Sequence, residues 1–568
     1  MLRATQIQFF MALICASSMC SLIFAKDIEY SRHVNRRGRN NLRQRQLDES
    51  SISKGSSSKG SSKGSSSSGK GKGSKSSKSP GKGSKSSKSP GKGSKSSKSS
   101  KSPGKGKGKG GSSSSGKGKG GSSSSKGKGS SKNVPTAAPF SVPDITVAPT
   151  AAPVRVPTVD DICGSSRDAY IDRVKEILTG TFGPTDFEAN TPQGDAFEWL
   201  TLEDQICPDN GTNDQIRQRY ALATFYFSTD GDKWNFCDAK GTKDCPPEVE
   251  PFLSPANECE WYGVDECNAN KKLTKLDFKK VNGQDVGLKG DIPSEIFVLP
   301  NLKDFIADFD GPDNKKGELT GDIPSNVGNA PKLAILDVEK HQLTGDIPAS
   351  IYSSTTIREI DLDDNKLTGT ISEDVANMKS LVFWSSNKNN FDDQSIPSGF
   401  ATLTQNLKSL SLNNAKLIGD VPPSYGDLTK IEQIDFSDNK LTGEISFIEN
   451  YTKAISIALD NNKFEGPVPD SVWSFPDLKF LILEKNELSG QLPSNIPVQT
   501  KLEVLKLGKN EFSGPIPASL ANFRNLKSLD LSGNNFTGAV PDELCELKNL
   551  EGIKVDKNIA CDPTCCII

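Results

Sequence analysis

Histidine is nearly absent from this chain: among 568 residues only His33 and His341 carry an imidazole. A serine or cysteine nucleophile activated by a side-chain base therefore has almost nothing to draw on. The phosphate-cradling segment Gly-x4-Gly-Lys-Ser/Thr is missing too, and the Gly-Lys strings near the N-terminus have no strand and helix around them. Asp308, Asp310 and Asp313 offer oxygens for a cation but lack the loop spacing of a calcium hand. These absences argue against an enzyme, and no catalytic residue, cofactor or metal ligand is expected.

Apolar residues make up only 33% of the chain, so much of it is not core. Past residue 25 no stretch is apolar for long enough to span a bilayer. Ser51 to Lys132 contains neither acids nor aromatics, which removes the stacking platforms a single-stranded nucleic acid needs. Nucleic acid is not an expected partner.

What is present begins with Arg3 and an apolar run ending Leu22-Ile-Phe-Ala25, the layout of a secretory signal peptide over 1–25. An uncleaved membrane anchor is the alternative. Residues 26–47 form a basic leader, a possible propeptide, ending Arg45-Gln-Leu47. Residues 48–132 are Lys/Ser/Gly-rich and include a decapeptide that starts at Ser79 and again at Ser89. Lacking apolar groups to bury, this N-terminal third is expected to be disordered. About 22 lysines and no acid lie between Ser51 and Pro143, while the whole chain sums to -1, so the remainder is strongly acidic. A Pro/Thr-rich stalk follows over 133–158, with Pro135-Thr-Ala-Ala-Pro139 repeated at Pro149. The lysine-serine alternation and the Arg-x-Leu step resemble the silaffins of diatom cell walls, which carry modified lysines among phosphoserines. That resemblance implies attachment to silica or an anionic wall polymer; a plain spacer is the other reading.

Ten of the 12 cysteines flank the remaining sequence, from Cys163 to Cys267 on one side and from Cys545 to Cys566 on the other. Such a distribution reads as disulfide-stapled caps in an oxidising compartment. Helical periodicity marks Arg167 to Leu178 and Asp214 to Phe227 within an N-terminal cap over 159–272.

Between the caps, over 273–549, one unit recurs about eleven times with a period near 24 residues, which indicates a solenoid. It is clearest from Leu478 to Pro493 and reads LxxLxLxxNxLxGxIP. Leu481 and Leu483 make a short strand with one buried face. Asn486, like Asn365, Asn439, Asn462, Asn510 and Asn534, sits where the chain turns away and can satisfy backbone groups of adjacent coils. Val281, Asp310, His341 and Ala415 occupy that position in four coils, where the asparagine ladder is expected to break. Residues 550–568 read as a C-terminal cap.

Copies such as Thr344-Gly345-Asp-Ile-Pro348 resemble leucine-rich repeats of the plant-specific class. The expected fold is thus an α/β leucine-rich repeat solenoid with a parallel concave sheet and a helical, disulfide-stapled N-terminal cap. Cys259-Glu-Trp261-Tyr-Gly263-Val264-Asp-Glu-Cys267 resembles the cap element of such proteins and implies a Cys259–Cys267 disulfide and a buried tryptophan.

Concave repeats of this length bind partners as a rule. Asp337, Glu359, Asp361, Asp363 and Asp435 are expected to form an acidic stripe on the hollow face, with Phe383, Phe480 and Ile482 as apolar anchors. Asn210, Asn450 and Asn535 head glycosylation sequons. The expected function is secreted, extracellular binding of a protein, peptide or glycan, in a cell wall if the tail attaches there. The resemblance to plant receptor-like proteins and polygalacturonase inhibitors implies the alternative, a signalling, defence or adhesion module without a kinase.

Overall fold

The computed structural model describes residues 167–567 apart from 185–186, 205–211, 241–242, 279–283, 310–314 and 500. The expectations for the signal peptide, basic leader, lysine-rich tail and stalk, and those for Cys163, Cys207, Asn210, Val281 and Asp310, lie outside the described residues.

Three helices build the cap: α1 (Arg167–Phe182), α2 (Pro192–Leu202) and α3 (Asn213–Ser228). The Thr212 hydroxyl accepts from the Gln215 N–H and closes the first turn of α3. α2 was not legible from periodicity; its signal is the Thr191–Pro192 pair, with Thr191 accepting from Gly194 N–H and proline in the first turn. α3 is the hub, with Tyr220, Ala221, Leu222 and Phe225 fully buried. The Phe225 ring stacks on Phe278 at 4.9 Å and meets Phe305 edge-on at 6.0 Å, so the cap's core runs into that of the first coils.

One charged residue is buried among these rings. Arg219 makes two 2.7 Å bonds to Asp204 and a 3.4 Å bond to Glu258, and its guanidinium lies 4.5 Å from the Trp261 ring centre. Gln218, one residue earlier, donates to Glu258 and accepts from Leu273 N–H at 2.7 Å, tying α3 to the first repeat strand. The strand Val264–Cys267 pairs antiparallel with Leu273–Asp277 and starts the sheet. The Cys259–Cys267 disulfide forms as the resemblance implies, and Trp234 and Trp261 are buried. Disulfides Cys237–Cys245, Cys545–Cys565 and Cys561–Cys566 are additional staples that the sequence did not assign.

From Leu273 onward every coil gives one short strand to a 14-stranded sheet whose neighbours follow chain order. The pairing is parallel and in register from coil to coil, so that Leu336, Ile360, Trp384, Leu410, Ile434, Ile457, Leu481, Leu505 and Leu529 align. These middle residues are all within 1% of full burial and form the core. Their two neighbours in each strand point the other way, onto the concave face.

The rung geometry is explicit. Leu343 N–H donates to Asn365 Oδ1 at 3.1 Å, and Asn365 Nδ2 donates to Val338 O at 2.9 Å, so one amide bridges a coil to its predecessor. The residue before the rung takes a left-handed conformation, φ 58° at Asp364, 57° at Lys485 and 57° at Lys509. That bend costs about 1 kcal/mol or more at a non-glycine residue, and the amide bonds hold it. Asn389 is also a rung, accepting from Leu367 N–H at 3.0 Å; the motif Ser385-Ser-Asn387-Lys-Asn389 hides it behind an earlier asparagine. At His341 the expected break does not occur. Its Nδ1 lies 3.3 Å from Leu319 N–H and its Nε2 2.7 Å from Ala307 O, so the ring spans the two groups an amide would have served. Ala415 contributes no such group, and Asn439 Oδ1 takes both the Ala415 and Leu417 N–H groups.

A second, seven-stranded parallel sheet runs alongside, built from the xLxGx segments from Gln394–Ser395 to Asn535–Thr537. N-terminal to that sheet, in Thr344-Gly345-Asp346, Thr344 donates to Asp322 of the preceding coil at 3.0 Å, and in the next coil Thr368 donates to Asp346 at 2.9 Å. A Cβ on Gly345 would meet the same Asp322 carboxylate at 2.4 Å, which explains the glycine in that triplet.

Candidate functional site

The register sorts the concave side chains into rows that cross the strands. One row contains Asp304, Ile335, Glu359, Phe383, Ser409, Gln433, Ser456, Phe480 and Val504. The next contains Ile306, Asp337, Asp361, Ser385, Ser411, Asp435, Ala458, Ile482 and Lys506. Every concave residue singled out from the sequence falls on these rows except Asp363, which lies two positions beyond Asp361.

Position and accessibility part company here. Asp361 is fully buried and Asp337 is 2% exposed, with Glu359, Asp363, Phe383 and Phe480 also buried. Carboxylate oxygens of Glu339, Asp361 and Asp363 lie within 4.8 Å of one another. None of these acids lacks a partner. The stripe in the coils around Asp361 is therefore a packed polar layer rather than an open negative surface.

Asp363 shows how such a layer is held. Its Oδ1 accepts from Ser385 Oγ at 2.6 Å and Asn387 N–H at 2.7 Å, while its Oδ2 accepts from Asn387 Nδ2 at 2.9 Å. Asn387 Oδ1 then accepts from Ser411 Oγ at 2.9 Å and Asn413 N–H at 2.6 Å, and Asn413 donates to Ser437 Oγ at 2.7 Å. Ser437 closes the chain on Asp435. This spine crosses four coils, and sequence reasoning missed it. The signal was Ser-x-Asn at the same offset in consecutive copies, Ser385-x-Asn387 and Ser411-x-Asn413.

The accessible part of the face lies further along. Asp435, Asp460 and Glu484 are half-buried and Asp438 is exposed, beside half-buried Ala458 and Ile482. Asp460 and Glu484 were not singled out earlier, because their place on the face depends on the register. Burial, and then the nearby Asp435, Glu484 and Asp438 charges, push the Asp460 carboxyl well above the usual carboxylate range. At the other end of the face burial raises Asp304 to about 6, against the lowering effect of Lys275. Burial likewise depresses His341 to about 4.

Asn450 is exposed at the end of the 3-10 turn Ser446–Asn450, and Asn535 is exposed on the second sheet. Both lie away from the concave rows. The sulfurs of Cys561, Cys565 and Cys566 cluster within 4.8 Å, but disulfides account for them. No helix among the described residues is long and apolar enough to cross a membrane.

A family model described as Leucine Rich Repeat matches residues 356–378 and 525–547. The chain is similar to Receptor-like protein 41 of Arabidopsis thaliana, with 38% identity over 78 residues, 14% of this chain and 9% of that protein. It is also similar to the Receptor-like kinase TMK2 of Arabidopsis thaliana, with 27% identity over 230 residues, 39% of this chain and 24% of that protein. Among solved structures, the leucine-rich repeat ectodomain of the Arabidopsis receptor kinase HAESA, in complex with a peptide hormone, aligns at 30% identity and TM-score 0.47. That alignment covers 54% of this chain and 53% of the other. The chain thus spans under a quarter of the length of the two curated relatives and about half of that ectodomain. With the in-register strand ladder, the amide rungs and the matched repeats, the chain carries leucine-rich repeats and folds as an α/β leucine-rich repeat solenoid.

Proposed function

We propose that this protein works by binding rather than by catalysis, as a secreted recognition protein whose ligand lies on the concave face around Asp435, Asp438, Asp460 and Glu484. The observation that carries the reading is the clustering of accessible carboxylates beside Ala458 and Ile482, on a frame that the Asp363-to-Asp435 spine holds rigid. A rigid face loses little entropy when a partner settles on it. Carboxylates crowded as these are gain from a cation placed among them. A protein or peptide segment with lysine or arginine next to an apolar residue has the complementary chemistry.

Selection from a library of random linear peptides on the full-length chain tests this. Enriched peptides should carry a basic residue, and the variant Asp435→Asn/Asp460→Asn/Glu484→Gln should bind them at least 10-fold more weakly. Peptides without basic residues, or unchanged binding by the variant, would sink the reading.

The Lys/Ser-rich segment supports an attachment role, its lysines suiting silica or an anionic polymer. Removing Ser51 to Lys132 should abolish retention on silica or a polyanionic gel. Mass spectrometry of the native N-terminus would show whether the leader is removed after Ala25 or Leu47.

A further inference from the structure

Where the cap meets the first coil, the end of α1, the first turns of α3 and the segment around Leu273 and Pro300 line a half-open cavity of about 330 Å³. Its polar wall is lopsided. Asp214 divides one carboxylate between two cations: Oδ1 accepts from Arg217 Nη1 at 2.9 Å, and Oδ2 lies 3.0 Å from Lys272 Nζ. Arg217 Nε is held by Thr181 Oγ1. Lys272 keeps the Asp214 carboxyl below the usual range, so it stays ionised and the wall sums to one positive charge. Both cationic heads have N–H groups beyond those bonds, as a guanidinium offers five donors and an ammonium three. The other side is apolar, with buried Leu299 and exposed Pro300, and Asn301 at the rim.

We propose that this notch is a second binding site, separate from the concave face, for a carboxylate-bearing sugar ring. The cationic pair would take the carboxylate, the C–H face of the ring would cover Leu299 and Pro300, and Asn301 would meet a hydroxyl. An inorganic ion would leave the apolar wall uncovered, and a neutral sugar would leave the wall's net positive charge unmatched. A cavity of about 330 Å³ lies at the small end of ligand pockets, of a size for one or two sugar units. Both sides of the cavity are needed, so occupancy would also fasten the cap to the first coil.

The test is calorimetric titration of the full chain and of Lys272→Gln and Arg217→Gln with glucuronate, glucose and inorganic phosphate. The lysine-rich tail is common to all three proteins, so the difference between them reports the notch alone. Saturable glucuronate binding that weakens at least 10-fold in each variant, with no binding of glucose and weaker binding of phosphate, is the expected result. The melting temperature should rise with glucuronate in the parent chain only. Binding that the variants retain, phosphate binding as tightly as glucuronate, or no saturable binding would each overturn the proposal. Lys272→Gln alters a partly exposed head, so it separates a lost site from a lost fold if Arg217→Gln misfolds.

Discussion

His341 does a rung's work with a titratable ring. Its folded pKa of about 4 lies below the ordinary 6.5. Between these values the unfolded chain takes up a proton that the folded chain refuses, so stability falls as pH drops from 6.5 toward 4, by about 3 kcal/mol over the window. Asp304 works the other way. Its folded pKa of about 6 exceeds the usual carboxylate value, so its destabilising contribution is present above pH 6 and fades toward pH 4. His341→Asn should remove the first effect and keep the second. Urea midpoints across pH 7 to 4 should show the variant within about 1 kcal/mol of the parent at neutrality and gaining about 3 kcal/mol on it at the acid end. A parallel pair of curves would show that the imidazole stays unprotonated in both states or titrates equally in them. Gly345→Ala tests the Thr-Gly-Asp turn in the same way. With φ at 71° and an Asp322 oxygen 2.4 Å from the added carbon, it should cost about 1–3 kcal/mol in thermal unfolding, part of it recovered by adding Asp322→Ala.

Among elements, the cap helix α3 carries the largest concentrated risk. Arg219→Met would leave Asp204 and Glu258 buried without their cation. Breaking such a pair costs about 3–5 kcal/mol, so the cap should melt early while the coils keep their far-ultraviolet signal. A stability change below about 1 kcal/mol would mean that the buried acids find other partners. A rung is the comparable unit in the coils. Asn486 accepts from Phe464 N–H at 3.0 Å and donates to Leu459 O at 3.0 Å and Leu483 O at 3.1 Å. Asn486→Ala should cost about 2–4 kcal/mol by leaving several buried backbone groups unpaired, and Asn486→His should recover part of that if the His341 geometry is transferable.

For the molecule as a whole, stability is a sum of neighbour contacts with both ends sealed. The Cys545–Cys565 bridge spans 20 residues and is worth about 3 kcal/mol at that separation. Replacing both cysteines by serine should speed hydrogen exchange in the last coils first and leave the coils near Leu273 unchanged. Uniform acceleration along the chain would instead show that the solenoid opens as one cooperative unit.

The Cys259–Cys267 staple was implied by the resemblance of its cap element, whereas the sequence by itself determined the solenoid, its period, its core leucines and most of its asparagine rungs. Each of these depends on residues close along the chain or repeated at a fixed interval, and a repeat places residue i against its counterpart one coil on. Which concave carboxylates remain accessible was decided only by the tertiary structure. Asp361 and Asp435 occupy the same kind of position, yet one is fully buried and the other half-buried, because their neighbours come from adjacent coils of different composition. The polar spine, the rung at His341, the second sheet and the charged notch under the cap share that dependence. Each joins groups at least 20 residues apart, and only the stacking of coils brings them within hydrogen-bond or contact distance.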